Sequence, residues 1–143
     1  MPKFTTKVIE EIVGKKRYEQ LVVLPDNAKQ TSIDVKKVDG VWDLYEKSLE
    51  AKYKGSFNGL AATMNRDADI LSLSSEKFKD ITPKGETVKE YEIKYQDLRV
   101  YAIKIDNGKL IILGGYKNSQ KSDISRFRSL KRQYLESLNR KTD

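Results

Sequence analysis

The apolar positions of the chain change their period along its length. In the first twenty residues Val8, Ile9, Ile12 and Val13 gather on one side of a 3.6-residue wheel, which predicts a helix there. Leu21-Val22-Val23-Leu24 follows as a short apolar run of strand type, stopped by Pro25-Asp26-Asn27. The polar stretch to Lys37 reads as loop, with a weak strand signal over Ser32-Ile33-Asp34-Val35. Asp39 is the expected N-cap of a helix carrying Val41, Tyr45, Leu49 and Tyr53, with Gly55 at its end. Phe57, Leu60, Met64 and Leu71 mark a second helix, and the short connection predicts that the two form an antiparallel pair.

Beyond Pro83 the period becomes two. Tyr91-Glu92-Ile93-Lys94-Tyr95 alternates as a strand. Leu98 to Ile105 alternates again, with Tyr101, Ile103 and Ile105 on one face and Val100, Ala102 and Lys104 on the other. Asp106-Asn107-Gly108-Lys109 predicts a hairpin through a two-residue Asn-Gly turn of type I′. Leu110 to Leu113 is the return strand, and Gly114-Gly115 permits a bend, a bulge or a close approach. From Ser122 or Asp123 onward Ile124, Phe127, Leu130, Tyr134 and Leu138 form the buried stripe of a last helix. The expected order is helix, strand, helix, helix, three strands, helix. That is one α+β domain over residues 1–143, an antiparallel β meander packed against helices, with a helical extension over 1–20.

Composition narrows the chemistry. The chain has 143 residues with neither cysteine nor histidine, so disulfides, thiolate metal sites and histidine acid–base catalysis are all excluded. No metal-ligand spacing, phosphate loop, dinucleotide fingerprint or nucleophile elbow appears, and no cofactor is expected. Asp67 and Asp69, two apart in a helical segment, point to different faces and do not form a carboxylate pair. The longest apolar run, Leu110-Ile111-Ile112-Leu113, is far too short to span a membrane, and the first residues lack a signal-peptide pattern. A cytoplasmic protein without membrane partners is the expectation.

Charge is distributed unevenly. Residues 1–98 hold 17 Lys+Arg and 17 Asp+Glu, whereas residues 99–143 hold 11 and 4, so the whole excess of +7 lies in the last third. Such an excess attracts polyanions within the screening length. On the meander, Lys94, Tyr95, Arg99, Tyr101, Lys104, Tyr116 and Lys117 combine cations that neutralise phosphate with rings that stack on bases. Each position alone also suits an ordinary strand; it is the combination that points to RNA.

Several of these segments together resemble the RelE/HigB toxins. They are Tyr91-Glu92-Ile93-Lys94, Leu98-Arg99-Val100-Tyr101, the Asp106-Asn107-Gly108 hairpin, the run from Leu110 to Lys117, and the Ser122-Asp123-Ile124 helix start. The likeness covers residues 88–138. It implies the toxin of a toxin–antitoxin pair, a metal-independent endoribonuclease that cleaves mRNA on the ribosome and is held by a cognate antitoxin. It places Lys94, Arg99 and Lys117 at the family's basic active-site positions, with Lys121 and Arg126 as looser matches. Phe127 stands at an aromatic position without its hydroxyl, and Glu92 where some members carry a base. In that chemistry Arg99 offsets charge on the phosphorane, and Lys94 or Lys117 serves as base. Two other readings stand beside it, the first using the same face and the second the last helix without Lys94 and Arg99. One is a non-catalytic RNA- or DNA-binding module; the other is a protein-interaction domain acting through Arg126, Lys131 and Arg132.

Overall fold

The computed structural model of the chain describes residues 3–24, 34–69 and 78–141. Six strands form one mixed sheet: β1 (Lys3–Val8), β2 (Arg17–Leu24), β3 (Phe78–Asp80), β4 (Glu90–Tyr95), β5 (Leu98–Ile105) and β6 (Gly108–Tyr116). Their order is β1-β2-β6-β5-β4-β3; β2 and β6 run parallel and every other pair is antiparallel. Helices α1 (Val41–Ser48) and α2 (Lys54–Asp69) cover one face, and α3 (Gln120–Lys141) covers the other. Consecutive β4, β5 and β6 are neighbours in the sheet, as the alternation predicts. The whole is α+β, but the sheet is mixed and larger than a meander.

The expected N-terminal helix over 1–20 is instead a β hairpin. Lys3 to Val8 alternates with a period of two and is rich in β-branched residues, which suit a pleated surface. Phe4 is buried, and register pairs it with Val23. Ile9 and Ile12 are buried in the core beneath α1 and α2 from the connecting loop, while Val13 is 70% exposed. The four apolar residues therefore never share a helical face.

The two faces of β5 separate two cores. Val100 and Ala102 pack with Ile93, Leu98, Trp42, Phe57 and Leu60; Tyr101 and Ile103 pack with Leu21, Leu110, Ile112 and Phe127. Burial on both sides explains the near-continuous run of closed positions from Leu98 to Ile103. A register shift between Tyr101 and Ala102 leaves Ile112 as the extra residue of a bulge. Helix α1 and helix α2 meet through Trp42 and Phe57, whose ring centroids are 4.3 Å apart, and each packs chiefly on the sheet.

Local signals are redistributed in three places. Gly40, not Asp39, is the N-cap of α1: its N–H donates to the Asp43 carboxylate at 3.0 Å. Buried Gln20 on β2 reaches across to accept from the N–H groups of Trp42 and Asp43 at 3.0 and 3.2 Å. Gly55 lies in the first turn of α2, not at a helix end, because α1 stops at Ser48 and a 3-10 turn spans Ala51–Tyr53. The β5–β6 turn is Asp106-Asn107, with Asn107 at φ 60° and Gly108 already paired to Ile105. Gly108 is required for a different reason: a Cβ there would lie 1.6 Å from the Arg17 carbonyl oxygen, so the glycine permits the parallel β2–β6 contact. Val35 opens a 3-10 turn capped by Asp34, and Ser32, Ile33 and Leu71 lie outside the described residues. Among the described residues no helix is long and apolar enough to cross a membrane.

Candidate nucleic-acid interface

The end of the sheet where β4 turns into β5 carries the strongest concentration of chemistry. Tyr95 pairs with Leu98, so Gln96-Asp97 is a tight turn, with Gln96 at φ 52°. One residue inward, Lys94, Arg99 and Gly115 form a row across three strands. The α3 side of this row is fixed by alternation: Glu90 and Glu92 on β4 both bond α3, through Lys131 and Gln120, and Lys94 follows in phase.

Behind Lys94 lies a buried polar pocket under the first turn of α3. It holds Glu92, Arg99, Tyr101 and Asp123, each at most 7% exposed. The Glu92 carboxylate accepts from the Gln120 amide. Asp123 accepts from the Ser119 hydroxyl at 2.5 Å, and its carboxylate fills the space that a side chain at Gly115 would need. Arg99 Nη1 donates to the carbonyls of Gln96 and Leu98 at 2.7 and 2.8 Å. Arg99 Nε and Tyr101 Oη are the buried side-chain polar atoms left without a partner among the described residues. Orphaned buried donors are costly, about 1–3 kcal/mol each, and call for an explanation. Burial, then the charges of Glu92 and Asp123, push the Tyr101 phenol far up, with Arg99 opposing, so it stays a neutral donor.

The elements that form this pocket also carry exposed cations. Lys94, Lys117, Lys121 and Arg126 are all solvent-facing. Lys117 opens a 3-10 turn and its backbone N–H donates to the Asp97 carbonyl at 2.8 Å, which ties the end of β6 to the β4–β5 turn. Arg126 comes within 3.9 Å of Asp123, a loose pairing for a side chain 70% exposed.

Not every expected site residue belongs here. Lys104 sits at the opposite end of β5, on the other face, across from Lys109. Tyr95 and Tyr116 face the α1/α2 side: Tyr95 lies against Gly59 and Tyr116 against Tyr53. Tyr101 is fully buried against Phe127, their centroids 5.6 Å apart, so neither ring is available to a base. Of the three helix cations named for protein docking, Lys131 is buried, bonding Glu90 at 2.8 Å and the Val88 carbonyl at 2.9 Å; only Arg126 and Arg132 are exposed.

Two internal ion networks and one buried polar pocket were hidden in the sequence. Glu90 is held by Lys131 and by Arg128 Nε at 3.0 Å. Asp67 accepts from the Tyr18 hydroxyl at 2.5 Å, Lys109 at 2.6 Å and Lys16 at 3.2 Å. The polar pocket is that of Glu92 and Asp123. A strand reading Glu-x-Glu opposite a helix rich in Lys and Arg was the one available signal. Because Lys109, Arg128 and Lys131 are neutralised from within, the positive surface reduces to the exposed cations. Among the described residues no cluster of three acidic side chains is placed to hold a metal ion.

No family model, curated protein or solved structure matches the chain.

Proposed function

We propose that this chain is an endoribonuclease of the RelE/HigB kind, a toxin that cleaves mRNA on the ribosome and is restrained by a cognate antitoxin. The observation that carries the reading is the row Lys94–Arg99–Gly115, backed by the unpartnered Arg99 Nε and Tyr101 Oη, with exposed Lys117 and Lys121 on the segment that leads from β6 into α3. A phosphate that reached the row beside Lys94 would give the orphaned Arg99 Nε a partner. Lys94 and Lys117 would hold the strand, and the Arg99 guanidinium would offset the charge on a pentacoordinate phosphorane. In such a cleavage Lys94 or Lys117 takes the 2′-hydroxyl proton, the 2′-oxygen attacks phosphorus, the bond to the 5′-oxygen breaks as that oxygen gains a proton, and a 2′,3′-cyclic phosphate and a 5′-hydroxyl result. The antitoxin would cover this face with acidic or amphipathic segments.

The test is induced expression in a bacterium, with growth followed and mRNA 5′ ends mapped. Growth arrest with new cuts inside translated codons, lost in Lys94→Glu and Arg99→Ala, is the expected result. Normal growth with intact mRNA counts against it.

One observation favours a second reading, a non-catalytic RNA-binding surface. Arg99 is 7% exposed and its Nη1 is committed to backbone carbonyls, whereas the solvent-facing cations need no rearrangement to bind phosphate. That reading expects steeply salt-dependent binding with no cleaved product.

A further inference from the structure

On the other side of the same sheet end lies a cleft of about 580 Å³ lined by Glu50, Tyr53, Asp97, Tyr116, Lys117 and Asn118. Tyr116 pairs with Leu98, one step from the Arg99–Gly115 row, so the cleft and the cationic row share Lys117 at their border. The Tyr53 and Tyr116 rings stand 5.3 Å apart at 56° and are half-buried, which leaves ring surface facing the opening. Asp97 is exposed, and the hydrogen bond from Lys117 to its carbonyl fixes its backbone in the β4–β5 turn.

We propose that this cleft is a nucleobase pocket that selects guanine in single-stranded RNA, with Asp97 reading the Watson–Crick edge. The inference rests on the RNA-directed reading above. A carboxylate has two acceptor oxygens and no donor. Among the standard bases only guanine presents two adjacent donors, N1–H and the N2 amino group, which such a pair of oxygens can accept together. Adenine and cytosine set an acceptor beside their amino group, where it faces the carboxylate lone pairs, and uracil offers one donor between two acceptors. Splayed bases of single-stranded RNA are commonly read by aromatic stacking together with hydrogen bonds to this edge. Tyr53 or Tyr116 supplies the stacking surface, and Lys117 meets the adjoining phosphate. Glu50 is 74% exposed and Lys52 comes within 3.8 Å of it, whereas Asp97 has its backbone fixed by Lys117, so Asp97 carries the discrimination.

The test is fluorescence anisotropy with short A/U oligoribonucleotides that carry one central G, inosine, A or C. The G-centred strand is expected to bind roughly tenfold tighter than the A-centred one, as good bidentate base contacts discriminate. Inosine, which keeps N1–H and lacks the amino group, should fall between. Asp97→Asn should abolish the preference and, by removing a negative charge, leave the A-centred strand bound as well or better. Tyr53→Ala should weaken all four about tenfold and keep their ranking. Salt-dependent binding that is equal for all four, or a guanine preference that survives Asp97→Asn, overturns the pocket alone. No binding of any strand at low salt overturns the RNA-directed reading, and the pocket with it.

Discussion

The buried pair between Glu90 and Lys131 fixes α3 to β4 and so sets the roof over Arg99 and Tyr101. The Glu90 and Lys131 side chains are 1% and 5% exposed, and their oxygen and nitrogen lie 2.8 Å apart. Glu90→Ala would leave a desolvated ammonium with only the Val88 carbonyl and a distant Glu86, 3.9 Å away and 54% exposed. Breaking a buried pair by deleting one partner costs about 3–5 kcal/mol. Arg128, at 41% exposure, adds little, because water can replace its carboxylate. For a chain of this size each kcal/mol lowers Tm by roughly 3–5 °C, so a fall of roughly 10–20 °C is expected. Trp42, the single tryptophan and 1% exposed, reports urea unfolding by fluorescence. The double substitution Glu90→Leu with Lys131→Met should recover most of the loss, since apolar replacement of a buried pair is often neutral. A Glu90→Ala penalty under about 1 kcal/mol, or a double variant as unstable as the single one, would refute the reasoning.

Three further outcomes are expected. Gly108→Ala should destabilise by about 2 kcal/mol or more in urea titration, because its Cβ would lie 1.6 Å from the Arg17 carbonyl oxygen, a backbone atom. Burial alone would raise the Asp67 carboxyl pKa, but hydrogen bonds from Lys109 and Tyr18 and the charge of Lys109 outweigh it and hold the group below the usual range. Its stabilisation is therefore complete above the unfolded value near ~3.9 and is lost as pH falls through the lower folded value. Asp67→Asn should cost about 3 kcal/mol at pH 7, and the gap from the native chain should narrow in acid unfolding curves taken at progressively lower pH. Lys94→Ala should reduce the salt slope of single-strand RNA binding by about 0.7 per lost phosphate contact, while Lys104→Ala, at the far end and on the opposite face, leaves the slope unchanged.

Strands β4, β5 and β6 were legible because successive side chains of a strand point to opposite faces, and the division of Tyr101 and Ile103 from Val100 and Ala102 falls where that rule predicts although both faces of β5 are buried. The stripe of α3 was legible for the same reason: Phe127 is buried and Ile124, Leu130 and Tyr134 pack beside it, with only Leu138 turned 40% outward. The first twenty residues misled because Ile9 and Ile12 reach the core from the loop between β1 and β2, and tertiary pairing decides that segment. The Gly108 signal was real but belonged to a neighbouring strand, a contact no local pattern encodes. The candidate site was half legible. The cations and rings of the meander bring out Lys94, Arg99 and Lys117 only in company with Lys104 and the tyrosines, and the burial of Arg99 and the surroundings of Glu92 and Asp123 depend on where α3 settles. Charge counting alone could not separate Lys131 and Arg128, bound to Glu90, from Lys121 and Arg126, which face solvent.

The most direct test of the central claim uses the purified full chain, incubated with a translated mRNA on ribosomes and with the same mRNA free in solution. Cuts confined to the translated sample, with 5′-hydroxyl and 2′,3′-cyclic phosphate ends and absent in Lys94→Glu, are the expected result. Salt-dependent RNA binding with intact message in both samples would contradict catalysis and leave a binding surface alone.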